Sequence, residues 1–252
     1  MTEWYHYILL IVIGFIVGVI NTLSGGGSTL TLPILIFLGL PSATANGTNR
    51  IAILIQTIFA FLGFRSKGAT KNYSPFAWYL ALSSTIGAII GAKIAIDIKD
   101  ELFNRILAIV MLLIVGSMVI SPKKNLDQLT ERITGKHALW GSIAFFFIGV
   151  YGGFLQAGAG IIMLLALSNI NHMTLIRSNV VKAMVMTIYI TATLLVFGLN
   201  GNLDWGIGLV MAIGQALGGW LTSRWSVNKG DGIVKFFLIA MVLIMAVKLW
   251  FF

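Results

Sequence analysis

Apolar runs long enough to cross a bilayer follow one another along almost the whole chain, at residues 4–23, 45–64, 74–96, 102–120, 139–155, 176–199, 205–222 and 233–251. A helix needs about 20 such residues to cross roughly 30 Å of hydrocarbon, and in lipid its backbone polar groups must be satisfied internally. A chain patterned this way folds as an all-α polytopic membrane protein. Composition agrees, since 58% of the residues are hydrophobic, only 10% are charged and the mean hydropathy is +0.95, well outside the soluble range. The opening residues carry no Arg or Lys and no small-residue cleavage pattern follows, so the first run is expected to stay as a span rather than leave as a signal peptide.

Two interruptions stand out against this pattern. Residues 21–33 read NTLSGGGSTLTLP, with Gly25, Gly26 and Gly27 flanked by Ser24 and Ser28. Glycine inside a helix costs about 1 kcal/mol relative to alanine, so three in succession unwind it locally. The backbone groups released at that depth need buried protein, a ligand or a wet cavity as partners. The apolar pieces that follow the breaks, 28–40 and 161–170, are too short to span comfortably, and each reads as half of a hairpin or broken helix.

The second interruption sits where a duplication would put it. FFFIGVYGGFLQAGAGIIMLLAL aligns with GFIVGVINTLSGGGSTLTLPIL, setting Gly158 and Gly160 opposite Gly25 and Gly27. Ser178, Asn179 and Thr187 then fall opposite Thr48, Asn49 and Thr57, and Gly214 and Gly218 echo the small-residue pair Gly87 and Gly91. Landmarks recurring in order predict a first transmembrane repeat over 1–122, a polar cytoplasmic linker over 123–137 and a second repeat over 138–252. If each break turns a hairpin, each half has five membrane segments and the halves are inverted, each a Gly-broken helical hairpin plus three spanning helices. Arg65, Lys67, Lys71, Lys123, Lys124, Arg132, Lys136, Arg224, Lys229 and Lys235 then share one side, while the loop 200–204 opposite has no base. The positive-inside rule places those loops in the cytoplasm and both termini outside.

The polar inventory narrows the chemistry. The chain has no cysteine, which removes disulfides and thiolate chemistry. The net charge of +9 lies in loops between spans, with no polar domain to hold a nucleic-acid surface, so no nucleic-acid partner is expected. All eight acidic residues, and His6, His137 and His172, fall near span ends or in loops without ligand spacing; no metal, no cofactor and no enzyme activity are expected. What the spans do hold is neutral donors and a few cations, which suits an anion. The candidate substrate-binding set is Ser24, Gly25, Gly26, Gly27, Ser28, Asn49, Arg50, Gln156, Gly158, Gly160, Asn179 and Lys182, arranged around N–H groups exposed where two broken helices restart. Other readings stay open. The glycines could serve helix packing alone, Asn49 and Asn179 could cap helices or bond across them, and Arg50 and Lys182 could snorkel to the interface.

The paired glycine-rich stretches, each followed by an apolar arm and then a span opening with Thr48-Asn49 or Ser178-Asn179, resemble the sulfite exporter TauE/SafE family over nearly the whole chain. The resemblance implies a multi-pass permease of the bacterial inner membrane that moves sulfite, sulfoacetate or other sulfonates. Its partners would be a small anion and the lipid bilayer, with a homodimer as a candidate assembly. This chain departs from the pattern at Gln156-Ala157-Gly158-Ala159-Gly160, which is poorer in glycine, and at Ala166, where the first half has Pro33. Alternating access of one repeat against the other is the expected mode; a channel-like pore and a non-transporting accessory protein are the alternatives.

Overall fold

In the computed structural model, residues 4–70, 73–120 and 130–229 are described. The expected last span at 233–251, most of the linker, and Lys71, Lys123, Lys124 and Lys235 lie outside them. Every regular element in the described residues is helical: α1 (Trp4–Ser24), α2 (Ser28–Phe37), α3 (Ser42–Ser66), α4 (Ser74–Asp97), α5 (Asp100–Ile120), α6 (Gly135–Phe154), α7 (Ala159–Ile170), α8 (Leu175–Leu199) and α9 (Trp205–Lys229). Six of them, α1, α3, α4, α6, α8 and α9, are long and apolar enough to cross a membrane. The protein is a multi-pass membrane protein. Long, short, long, long recurs from α1 to α4 and from α6 to α9, with α2 and α7 only 10 and 12 residues long.

Local chemistry sets the ends of these elements. Pro41 precedes α3, and Pro75 sits in the first turn of α4, where a missing N–H costs nothing. Gly25 and Gly158, at φ +76° and +70°, stop α1 and start α7 in a backbone region that side chains avoid.

The helices then pair in a crossed pattern. α1 packs on α9, α6 packs on α4, α3 packs on α9 and α8, and α8 packs on α4. Small residues permit these contacts. A Cβ on Gly87 or Gly91 would overlap the Phe146 or Val150 carbonyl of α6, and one on Gly214 or Gly218 would overlap the Ile11 or Phe15 carbonyl of α1. The small-x-x-x-small spacing therefore marks true backbone approach. Apolar side chains fill the space on either side of the α3–α8 seam. One cluster gathers Leu80, Phe145, Met163, Val185 and Tyr189, and another gathers Leu10, Leu32, Leu35, Ala52, Phe103 and Met211. On α4, Leu82, Ile86, Ile90 and Ile94 form an exposed stripe at four-residue spacing, the face a helix turns to lipid.

Candidate functional site

Both breaks reverse the chain. Beyond Ser24, Gly27 lies beside Asn21 and Val17, one to two turns back along α1, so close that a Cβ on it would come within 2.8 Å of Asn21 Cβ. At the second break Gly152 faces Ala159 in the same way, at 3.4 Å. The two turns also touch one another. Gly25 and Gly160 meet backbone to backbone, and a Cβ on Gly160 would stand 2.7 Å from Gly25 Cα. Gln156 is held at φ +61° with its side chain fully buried; a non-glycine residue there is strained, and such strain gathers at functional sites.

A helix that stops inside a membrane leaves its last carbonyls without intrahelical donors, at the negative end of its dipole. Here those carbonyls are met by a cation and an amide from a different part of the chain. At the end of α6, Arg50 of α3 donates through Nη2 to Gly152 O at 3.1 Å and Gly153 O at 2.6 Å, and Asn46 Nδ2 donates to Phe154 O at 2.7 Å. At the end of α1, Lys182 Nζ of α8 donates to Asn21 O at 2.8 Å and Thr22 O at 3.4 Å, and Asn179 Nδ2 donates to Leu23 O at 3.1 Å. Arg50 and Lys182 are 0% and 3% exposed. They do not snorkel; they hold the ends of broken helices.

The asparagines bond across helices rather than cap their own. α3 begins at Ser42, which puts Asn49 two turns inside it, where its Oδ1 accepts from Thr31 Oγ1 of α2 at 2.7 Å. In α3 the residue that does for α6 what Asn179 does for α1 is Asn46, which sequence reasoning passed over. Its position four residues before Arg50 places both on one helix face, and that spacing was the available signal. Three more groups were missed. Thr193 accepts from Arg50 Nη1 at 3.0 Å, Tyr189 donates to Gln156 Oε1 at 2.9 Å, and Tyr151 donates to Ala157 O.

The remaining polar atoms show what the arrangement could take. Gly25 N–H is spent on Asn21 O and Ile161 N–H on Gly158 O, and Ser24 Oγ donates to Ile20 O at 2.8 Å. No side chain caps the first turn of α2 or α7. Among the described residues, Arg50 Nε, Asn49 Nδ2 and Gln156 Nε2 are buried N–H donors without an acceptor, a costly state unless a ligand or water completes them. No Asp or Glu is buried among the described residues. Asn21 Oδ1 and Asn179 Oδ1, at the end of α1, are buried acceptors without a donor, so unpaired donors gather with Arg50, Asn49 and Gln156, away from any carboxylate, where an anion with several oxygens could be met.

Comparison with known proteins gives the family and the class of relatives. The family model described as sulfite exporter TauE/SafE matches residues 10–249. A probable membrane transporter protein of Haemophilus influenzae is 28% identical over 96% of this chain and 93% of its own length. The probable membrane transporter protein YfcA of Escherichia coli K12 is 28% identical over 96% of this chain and 88% of its own. A Sinorhizobium relative, probable membrane transporter protein ORF9, is 28% identical over 95% and 90%. No solved structure gives a significant match.

Proposed function

The chain belongs to the sulfite exporter TauE/SafE family and is a membrane transporter of the bacterial inner membrane, and from that premise we propose that it is a permease for small sulfur-containing anions. Sulfite, sulfoacetate and other sulfonates are the proposed substrate class. The anion is held where the two helix breaks meet, between the restarts of α2 and α7, and is released by alternating access; no bond-making step is assigned to the site.

One observation carries this reading. The two breaks abut at Gly25 and Gly160, and buried N–H groups of Arg50, Asn49 and Gln156 lack acceptors. A sulfonate offers three oxygens to such donors, and glycine lets them approach the backbone closely. The positive ends of the α2 and α7 dipoles add a further attraction of about 0.3–1 kcal/mol each, and up to about 2 kcal/mol where the site is partly buried. The tight contact of the breaks favours a carrier over an open pore, because the nearby cavity at Asn21 and Lys182 offers only about 10 Å³ to a water-sized sphere, roughly a single water. Inversion of the two halves about the breaks is part of the proposal and brings the two helix restarts together from opposite faces.

The test is thermal stabilisation of the purified protein against sulfite, thiosulfate, sulfoacetate, taurine, sulfate, chloride and acetate, followed by flux in proteoliposomes. A ligand bound only by the folded state raises the melting temperature with concentration. A rise with a sulfur oxyanion and saturable uptake of the same anion are expected. A response confined to sodium or to an organic cation would overturn the reading.

A further inference from the structure

The ends of α1 and α6 are held by different cations, and the difference goes beyond size. Arg50 is bonded to Gly152 O, Gly153 O, Asn46 Oδ1 and Thr193 Oγ1 and stacks on Phe197 at 4.7 Å. Its charge is permanent. The matching group at the end of α1 is an amine, which can release a proton. Lys182 Nζ finds two acceptors among the described residues, Asn21 O and Thr22 O. An ammonium has three N–H groups and a neutral amine has two and a lone pair, so either form leaves one position of Nζ for the cavity beside it. Beside Nζ lies the one-water cavity, lined by the polar groups of Asn21, Thr22, Gln56, Thr57 and Asn179. Asn21 Oδ1 and Asn179 Oδ1 have no donor, so a water there has partners waiting.

No other charged or titratable side chain lines this cavity from α1, α3 or α8. On α3, Arg50 is committed to the end of α6 and Arg65 is exposed. Tyr189 of α8 is bonded to Gln156 Oε1, α7 has no titratable residue, Tyr79, Lys93 and Asp97 of α4 and Lys136 of α6 are exposed, His137 is half-buried at the start of α6, and Tyr151 of α6 is bonded to Ala157 O. A third proton on Lys182 therefore brings a positive charge with no carboxylate to balance it. The charge that can balance it is the transported anion, one helical turn away at the break.

We propose that Lys182 carries the proton that couples anion movement to the proton gradient. The amine lone pair takes one proton that enters from the outer solution and is relayed through the cavity, where a water accepts a proton on one side as it hands one to Nζ on the other, as the anion enters the breaks. The ammonium returns it as the anion leaves on the other side, so one proton travels with each anion. Arg50 gives a constant charge at the other break, so only one of the two breaks changes its charge during the cycle. This inference rests on the reading of the breaks as the anion site.

The full-length protein in proteoliposomes tests it with sulfoacetate, whose charge is constant from about pH 6 to 9 because carboxyl groups titrate near 4. With acid outside, wild-type vesicles are expected to accumulate sulfoacetate at least fivefold above the outside level while a trapped dye reports internal acidification. K182R and, where arginine does not fit, Lys182→Met are expected to lose both accumulation and proton movement, and any sulfoacetate flux that remains is expected to lose its dependence on the pH difference. Sulfoacetate equilibrating through the wild type without proton movement overturns the role of Lys182 and leaves the anion site standing, as does a folded K182R or Lys182→Met protein that still accumulates. If sulfoacetate neither stabilises the wild type nor is carried, both readings fall.

Discussion

Adjacent glycines at the first break should respond to the same substitution in opposite ways. A methyl group on Gly25 meets the Gly160 backbone, which cannot yield, and the residue is held at φ +76°. The left-handed conformation costs an L residue about 1–2 kcal/mol, and overpacking against backbone adds about 1–3 kcal/mol. Gly25→Ala should therefore lose about 2–5 kcal/mol, or roughly 4–20 °C in melting temperature at about 2–4 °C per kcal/mol. Gly26 lies outside the left-handed region, and its new Cβ would meet first the tip of Ile161, Cδ1 at 3.0 Å. A flexible side chain gives way by a few tenths of an ångström, so Gly26→Ala should stay within about 1 kcal/mol of wild type. The methyl nevertheless stands beside the backbone that the anion is proposed to touch, and losing one charge-assisted hydrogen bond is worth about 1.5–3 kcal/mol, roughly 10- to 100-fold in affinity. Melting curves with and without sulfoacetate read both quantities. Gly26→Ala with wild-type stability and an undiminished ligand shift and flux would refute the reasoning.

Other perturbations bear on the frame around the site. Gly91→Ala and Gly214→Ala put a methyl into the Val150 carbonyl of α6 and the Ile11 carbonyl of α1; each should cost about 1–3 kcal/mol, read as lost thermal stability, whereas Gly206→Ala, whose nearest neighbour is Asp204 Oδ1 at 3.4 Å, should not. Outside the spans, Tyr73 Oη donates to the Glu131 carboxylate at 3.3 Å, and Glu131 pairs with Arg177 at 3.0 Å. Burial, and then the Glu131 charge, push the Tyr73 phenol above its ordinary value. A raised folded value gives stability that is complete below the unfolded value near 10 and is lost as pH rises through the folded one. Tyr73→Phe should thus lie about 0.5 kcal/mol below wild type at pH 7, with the gap closing above pH ~10 in melting curves taken at stepped pH.

Much of the frame was legible because lipid leaves a chain few choices. Runs at 45–64 and 176–199 became α3 and α8 with starts at Ser42 and Leu175, and the glycine clusters became breaks because successive glycines make the helix costly to continue. Gly87, Gly91, Gly214 and Gly218 kept the role their spacing suggested, since small residues at four-residue intervals line one helix face. Polar pairing was harder to read. Arg50 and Lys182 looked like residues near span ends, and only tertiary packing shows that each meets the end of a helix more than 100 positions away, at Gly153 and Asn21. Asn46 and Asn49 both sit in ANGTN, and choosing between them requires the rotation of α3 against α6, which an apolar count does not contain. Contact between Gly25 and Gly160 likewise depends on how two turns meet in space.

The crossed pairing bears on what can move. Packing crosses between the sequence halves, since α4 packs on α6 and α8 while α9 packs on α1 and α3, so each half has lent a helix to the other. The tightly packed bodies are α1, α2, α3 and α9 on one side and α4, α6, α7 and α8 on the other, meeting where Thr187 Oγ1 donates to Thr57 Oγ1 at 3.2 Å. For the alternating access we propose, this packing favours a movement of those two bodies across the α3–α8 seam, with the glycine breaks between them. The absence of cysteine from the chain gives a clean background for cross-linking. A disulfide between Thr57→Cys and Thr187→Cys spans the seam and should cut uptake at least tenfold, with recovery on reduction. One between Ser83→Cys and Ser142→Cys joins α4 to α6 inside a single body, where Ser83 Oγ already donates to Ser142 O at 2.5 Å, and should leave uptake unchanged. If the cross-link within the body stops uptake and the one across the seam does not, the moving parts are the sequence halves after all.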